Sequence, residues 1–410
     1  MSMPSTASAR GGFSLDDIPE RLSRLPWTLI LVACIITAIG TAMLYSVAPG
    51  TATHAGGWTP WAGNHLLRFM LVFPLMLGAA ILPLGFWRAL AAPLYLFALL
   101  LLVAVEVNGE TILGATRWLR IGPLQLQPSE FMKIGLLLAL AAYFHAYGGP
   151  RGKGWFGEIL SMLPPILMIA APATLVMHQP DLGTAILLIL GGGAVMFLAG
   201  LKWRYIVFAA LVGAAIAPLA YFFVLHDYQR QRLDTFVNPE LDPLGAGYHV
   251  AQSKIAIGSG GFEGKGFMQG SQGQLDFLPE KQTDFIFTII GEEFGFVGTA
   301  FVVTLFAVMI ALCLSVAQRS RSAFGKLAAG GVTAMLATYV FINAGMVMGL
   351  MPVVGVPLPL ISNGGTAMIT VMAGLAIVLN VHLNRDQKPS APSWFDWMRR
   401  PGKSRGPLNR

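Results

Sequence analysis

The residues of this chain that could do chemistry are few and fall in four stretches. The first, NGETILGATRWLRIGPLQLQPSEFMKIGLLL, runs from Asn108 to Leu138. Gln127 before Pro128 is a helix-start signal, and the i, i+3 spacing puts Glu130 and Lys133 on one face where they can pair. Lys133 lies more than a turn inside an apolar helix. Such a lysine either snorkels to the interface or marks a site. Arg117 and Arg120 flank Trp118 and are either surface decoration or a bidentate phosphate grip. The second stretch is HQPDLGTA, His178 to Ala185. His178 and Asp181 could be catalytic, but Pro-Asp followed by Gly is ordinary turn chemistry, and Asp181 is most simply a helix N-cap.

The third stretch, Asp227 to Asp284, holds eight of the twenty acidic residues. Its QSKIAIGSGGFEGKG run carries Lys254, Lys265 and five glycines, which suits close backbone approach to a ligand or a hinge. At its end, in LDFLPEKQTDFIFTIIGEEFG, Glu280 and Asp284 stand at i, i+4, so one helical turn would align them. Asp284 is either a cap favoured by the helix dipole or a carboxylate presented to a cavity. Glu292 and Glu293 lie two turns deeper and are expected to face a bundle interior. The fourth stretch, PVVGVPLPLISNGGT (Pro352 to Thr366), cannot form a regular helix. At membrane depth such backbone is tolerated where protein or a water-filled cavity satisfies it, and Ser362 and Asn363 would line that cavity. Nothing matches a Walker loop, a zinc site or a nucleophile elbow. An ionised carboxylate could act as general base while cations hold a diphosphate leaving group. A substrate with an anionic head and an apolar anchor suits that set.

The elements that must position these groups are membrane helices. The 410 residues are 55% hydrophobic and 11% charged, and continuous apolar runs recur throughout. That composition predicts an all-α, polytopic integral membrane protein and excludes a β-barrel, whose strands would alternate. Ten spans are expected, centred near residues 37, 75, 98, 137, 170, 191, 214, 301, 338 and 374. The eighth is expected to be long, with one polar break. The division is a segment 1–25, with no cleavable signal, a ten-helix domain 26–386 that includes a loop 226–284, and a polar tail 387–410.

Lys and Arg fix the expected orientation. With the N-terminus in the cytoplasm, eighteen fall inside, seven outside and two within helices. The positive-inside rule then puts both termini in the cytoplasm and the long loop outside. The basic excess reads as orientation and a grip on anionic membrane lipids, not as a nucleic-acid footprint. Cys34 and Cys313 both sit inside predicted spans, so neither a disulfide nor a metal site is indicated. The absence of an evident internal repeat weakens an inverted-repeat transporter.

These stretches resemble the SEDS family (shape, elongation, division and sporulation), and its RodA branch in particular. The matching residues are RWLRIGPLQLQPSEFMK, QPDLGTA, DPLGAGYHVAQSKIAIGSGGFEGKG, QLDFLPEKQTDFIFTIIGEEFG and VGVPLPLISNGGT. The resemblance implies a peptidoglycan glycosyltransferase that polymerises lipid II on the outer face of the bacterial inner membrane, paired with a class B penicillin-binding protein. It carries the family's essential aspartate onto Asp284 and its Arg and Glu-x-x-Lys positions onto Arg117, Glu130 and Lys133. The expected mechanism is inverting transfer with Asp284 as base. Arg117 and Lys133, joined by Lys254 or Lys265 and with room for a divalent cation, would neutralise the leaving diphosphate. Two positions depart from the family pattern: Gln282 stands where His is common, and Asn363 where Tyr is common. A lipid II flippase and a non-catalytic scaffold for a transpeptidase are the alternatives.

Overall fold

The computed structural model describes residues 18–48, 60–112, 115–121, 124–152, 154–223, 227–238, 245–275, 277–278, 280–387 and 394–397. The expected centres all fall on helices. A short α1 (Ile18–Ser23) precedes α2 (Trp27–Ser46), α3 (Pro60–Ala80) and α4 (Leu84–Asn108). A three-stranded meander follows: β1 (Glu110–Ile112), β2 (Ala115–Ile121) and β3 (Leu124–Leu126). Next come α5 (Pro128–Tyr147), α6 (Gly154–His178), α7 (Leu182–Leu198) and α8 (Trp203–Phe223). The long loop contains α9 (Asp227–Val237), α10 (Ala246–Gly260) and the single turn α11 (Ser271–Gln274). The chain then runs through α12 (Ile286–Arg319), α13 (Ala323–Val347) and α14 (Gly365–Leu383) to the four-residue α15 (Trp394–Trp397). Seven of these helices are long and apolar enough to cross a membrane: α2, α3, α4, α6, α12, α13 and α14. The other three expected spans are helices too. Glu130 and Lys133 dilute the apolarity of α5, α7 has only 17 residues, and α8 is an apolar helix of 21 residues.

Helices alternate in direction, so the molecule has two ends. One carries the meander, α9 to α11 and the irregular segment 348–364. At the other, Glu158 binds Lys202 and Arg204, and Asn380 donates to the carbonyls of Ala80 and Leu82. The centre is built on α5, α13 and α14, whose faces are buried almost all round. The lipid-facing sides of α3, α6 and α8 leave Leu, Phe and Val exposed, as helices surrounded by hydrocarbon do.

Among the described residues the meander is the one departure from the all-α expectation. Its strands pair antiparallel, Thr111 opposite Thr116 and Arg120 opposite Gln125, with an irregularity between Glu110 and Thr111. Because side chains alternate along a strand, Arg117 and Arg120 point to opposite faces. Arg117 is half-buried and Arg120 exposed, so the expected pair of arginines is split by the pleat.

α12 breaks at Gly295, which takes φ +62° and ψ −155°, a conformation open to glycine. The glycine-rich run repairs the break. Phe296 and Val297 donate their N–H groups to the carbonyls of Gly261 and Phe262, at 2.9 and 3.2 Å. In return Lys265 and Gly266 donate to the carbonyls of Glu292 and Glu293, at 3.0 and 2.9 Å. A kink in an apolar setting must satisfy its freed backbone groups, and the loop supplies the partners. The run is therefore a backbone splint for α12.

Candidate active site

Asp284 sits on the turn that closes the long loop, one residue before the N-cap of α12. The turn is tight, not regularly helical: Glu280 has φ +52°, and Thr283 and Phe285 both donate to its carbonyl. It still brings Glu280 beside Asp284. Glu280 is exposed and accepts a hydrogen bond from Thr283 Oγ1 at 2.9 Å. Asp284 does not cap the helix. Its carboxylate is half-buried against the segment 352–364, where a Cβ on Gly355 (φ +72°) would lie 3.3 Å from Oδ2. Burial raises the Asp284 pKa to about 6; the negative charges of Glu280 and Asp181 push the same way, opposed by Arg117 and Arg232.

The irregular segment grips the Asp284 turn at two points, and Asn343 on α13 ties the two together. Ser362 Oγ donates to the Thr283 carbonyl at 2.5 Å and accepts from the Leu358 N–H. Asn363 N donates to the Gln282 carbonyl at 2.8 Å. Asn343 Nδ2 donates to the carbonyls of both Asp284 and Val356. The two positions that depart from the family pattern, Gln282 and Asn363, thus meet through the backbone. Ser362 is buried with its hydroxyl committed to main chain, so it shapes the turn instead of lining a cavity. Asn363 is half-buried, and its Oδ1 accepts from Arg68 Nη1 at 2.9 Å.

Two charge pairs complete the site. Lys133 Nζ donates to Glu130 Oε1 at 2.8 Å and to the hydroxyl of Tyr339, and it lies 4.9 Å from the centre of that ring. Glu130 and Lys133 are only 6% and 3% exposed, so the lysine does not snorkel. Glu130 Oε2 and Arg117 Nε are buried without a hydrogen-bond partner among the described residues. Arg117 lies 3.7 Å from Asp181, whose other contacts are Gln127 Nε2 and the Thr184 N–H. Asp181 is therefore the N-cap the sequence suggests and also the anchor of the site arginine. His178, by contrast, is exposed.

The remaining cations separate. Lys254 is exposed on α10 and shares a cleft with Arg232, Met351, Pro352 and Val353, next to the backbone that abuts Asp284. Lys265 is a correction to the expected grip: its ammonium is 2.7 Å from Glu292 Oε1, two turns along α12 from Asp284. It is committed to the splint. Among the described residues no three His, Cys, Asp or Glu side chains gather to hold a metal ion, so the divalent cation has no residues assigned to it. Sequence reasoning missed Arg232, Asn343 and Tyr339. The two neutral polar residues could have been found as the hydrogen-bonding groups facing inward in the apolar run TYVFINAGMVMG.

A carboxylate of raised pKa with Arg117 and Arg232 in its field, at one end of a helical membrane bundle, fits an integral membrane enzyme that acts on an anionic, lipid-anchored substrate. Residues 26–387 match the family described as cell cycle protein, FtsW/RodA/SpoVE, and the chain belongs to that family. It is 47% identical over 311 residues to the peptidoglycan glycosyltransferase MrdB of Escherichia coli K12, covering 76% of this chain and 82% of that one. It is 33% identical over 373 residues to the probable peptidoglycan glycosyltransferase FtsW of Trichlorobacter lovleyi, covering 88% and 94%. The rod shape determining protein RodA of Thermus thermophilus superposes with TM-score 0.65 at 30% identity, over 88% of this chain and 98% of that one. A chain from a peptidoglycan synthase complex that coordinates polymerization and crosslinking superposes with TM-score 0.74 at 32% identity, over 88% and 99%.

Proposed function

We infer that this chain is a peptidoglycan glycosyltransferase of cell-shape maintenance, a multi-pass membrane enzyme that polymerises lipid II with Asp284 as its general base. The observation that carries the assignment of the base is the placement of its carboxylate. It is half-buried and pressed on Gly355, with its pKa raised to about 6 and Arg117 and Arg232 in its field. A base with a pKa near working pH combines the ionised form with real proton affinity.

The groups present support the following reaction. Asp284 takes the proton of the GlcNAc 4-hydroxyl of one lipid-linked disaccharide. The hydroxyl oxygen attacks the anomeric carbon of MurNAc on the other, a C–O bond forms, and the bond from that carbon to the diphosphate breaks with inversion. Arg117 and Lys133 face the developing charge on undecaprenyl diphosphate. Lys254 and Arg232 offer a second cationic wall across the irregular segment. Fixed cations in a low-dielectric setting stabilise such charge without reorganisation. The positive-inside count supports both termini in the cytoplasm and this end of the bundle on the outer face. The likeness to a chain of a peptidoglycan synthase complex supports a cross-linking partner, a class B penicillin-binding protein.

The test is reconstitution of the full chain with labelled lipid II and its partner, reading glycan chains on a gel with the transpeptidase inhibited. The wild-type protein should make chains and Asp284→Asn should not, a loss of about 10²–10⁴ in rate with folding intact. Chains from Asp284→Asn at the normal rate would overturn the role of Asp284. Translocation without polymerisation by the wild-type protein would favour a flippase, and neither activity a scaffold.

A further inference from the structure

Asn343 is fully buried on α13, and its Nδ2 carries two hydrogen bonds: 2.8 Å to the carbonyl of Asp284 and 2.7 Å to that of Val356. A carboxamide nitrogen has two hydrogens, so both are used. One acceptor belongs to the Asp284 residue itself and the other to the residue after Gly355, whose missing Cβ leaves room for the Asp284 carboxylate. A single side chain thus ties the Asp284 turn to the backbone it presses on. Four residues earlier on the same helix, Tyr339 receives the Lys133 ammonium. Residues i and i+4 share a helix face about 6 Å apart along the axis.

We propose that Asn343 is a positioning residue for glycosyl transfer. It holds the Asp284 carboxylate at a fixed depth against Gly355, while Tyr339 one turn away holds Lys133, so that one face of α13 sets the spacing of base and cation. The inference rests on Asp284 being the base. Residue chemistry supports the choice of asparagine. Two converging carbonyls need two donors, which a carboxamide supplies; leucine would supply none, a neutral aspartic acid one. Leaving a buried carbonyl without its donor is unfavourable, so loss of Asn343 should let the turn swing out towards water. The charges facing Asp284 are Glu280 on its own turn, Asp181 at the start of α7, Arg117 on β2 and Arg232 on α9, and they remain in every variant tested.

The experiment measures polymerisation of lipid II against pH by the full chain in proteoliposomes, for wild type, Asn343→Leu, Asn343→Asp and Asp284→Asn. Asn343→Leu should lose about a hundredfold in kcat with little change in KM, because a small misplacement of a reacting group costs that much. Its acid limb should move down from about pH 6 towards the ordinary carboxylate value of roughly 4, as water reaches Asp284. Asn343→Asp, a neutral carboxyl between two carbonyl oxygens, keeps one of the two donors and should move the limb down by less than Asn343→Leu does. Graded displacements, larger for Asn343→Leu than for Asn343→Asp, are the signature of positioning. If both variants only reduce the yield of folded protein and leave the midpoint in place, Asn343 is structural and the proposal falls. Should Asn343→Leu fail to fold, Asn343→Asp decides alone, since it keeps the shape and one donor. Activity in Asp284→Asn would sink the base assignment instead, whereas a dead Asp284→Asn with unmoved midpoints sinks only the positioning role.

Discussion

Glu292 and Glu130 are both buried carboxylates on membrane helices, and each is paired with a lysine. At Glu292 both oxygens are occupied: Oε1 accepts from Lys265, Ser271 Oγ and Gln272 N, and Oε2 from Gly273 N. At Glu130, Oε1 accepts from Lys133 and Oε2 from none of the described residues. Lys265 keeps 28% of its side chain exposed, whereas Lys133 keeps 3%. One carboxylate is saturated and fastens a loop. The other holds spare acceptor capacity beside a fully buried cation, an arrangement that stability alone does not favour, because desolvating a pair costs about what the attraction returns. The degree of saturation separates the fastening from the pair proposed to work on substrate, and the residue types alone do not.

Substitutions can break that comparison. Lys133→Met leaves Glu130 as an uncompensated buried carboxylate and should cost about 3–5 kcal/mol of stability along with polymerisation. Adding Glu130→Gln should restore most of the stability and none of the activity, read by thermal melts in detergent beside the glycan gel. Lys265→Met leaves Glu292 three donors, so the cost should be roughly 1.5 kcal/mol, with polymerisation reduced far less than by Lys133→Met. Equal losses in the two lysine variants would erase the distinction.

The smallest expected effect concerns pH. As the proposed base, Asp284 must be ionised to act, so polymerisation should rise with pH through about 6 and level off above it. Its folded pKa lies above the ordinary value of 3.8, so the folded state binds this proton more tightly than the unfolded chain does. Stability from that proton is present below pH 3.8 and is lost as pH rises through about 6. Asp284→Asn should therefore melt a little higher than wild type at pH 8, and the difference should vanish near pH 4.

The helices were readable because twenty apolar residues in a row admit few other structures. Glu130 and Lys133 were readable for the same reason, since a charge stands out against hydrocarbon. The meander was hidden by its short strands, and the separation of Arg117 from Arg120 depended on it. Lys265 was misassigned because a glycine-rich run with a lysine looks the same whether it cradles a ligand or another backbone. Asn343 was overlooked because a neutral amide breaks no rule of charge. Its importance lies in two carbonyls from distant parts of the chain, and no local spacing brings those together.

The exchange of hydrogen bonds at Gly295 has a consequence for anyone transplanting parts of this molecule. Two donors and two acceptors of the broken helix are matched by two acceptors and two donors of residues 261–266. The fracture and its splint form one unit of inheritance. Grafting the loop onto an intact helix, or the glycine onto a chain lacking the loop, would strand four backbone groups in an apolar setting. Deleting both together would let α12 heal into a single straight rod, and the rod would carry the turn that bears Asp284 somewhere else.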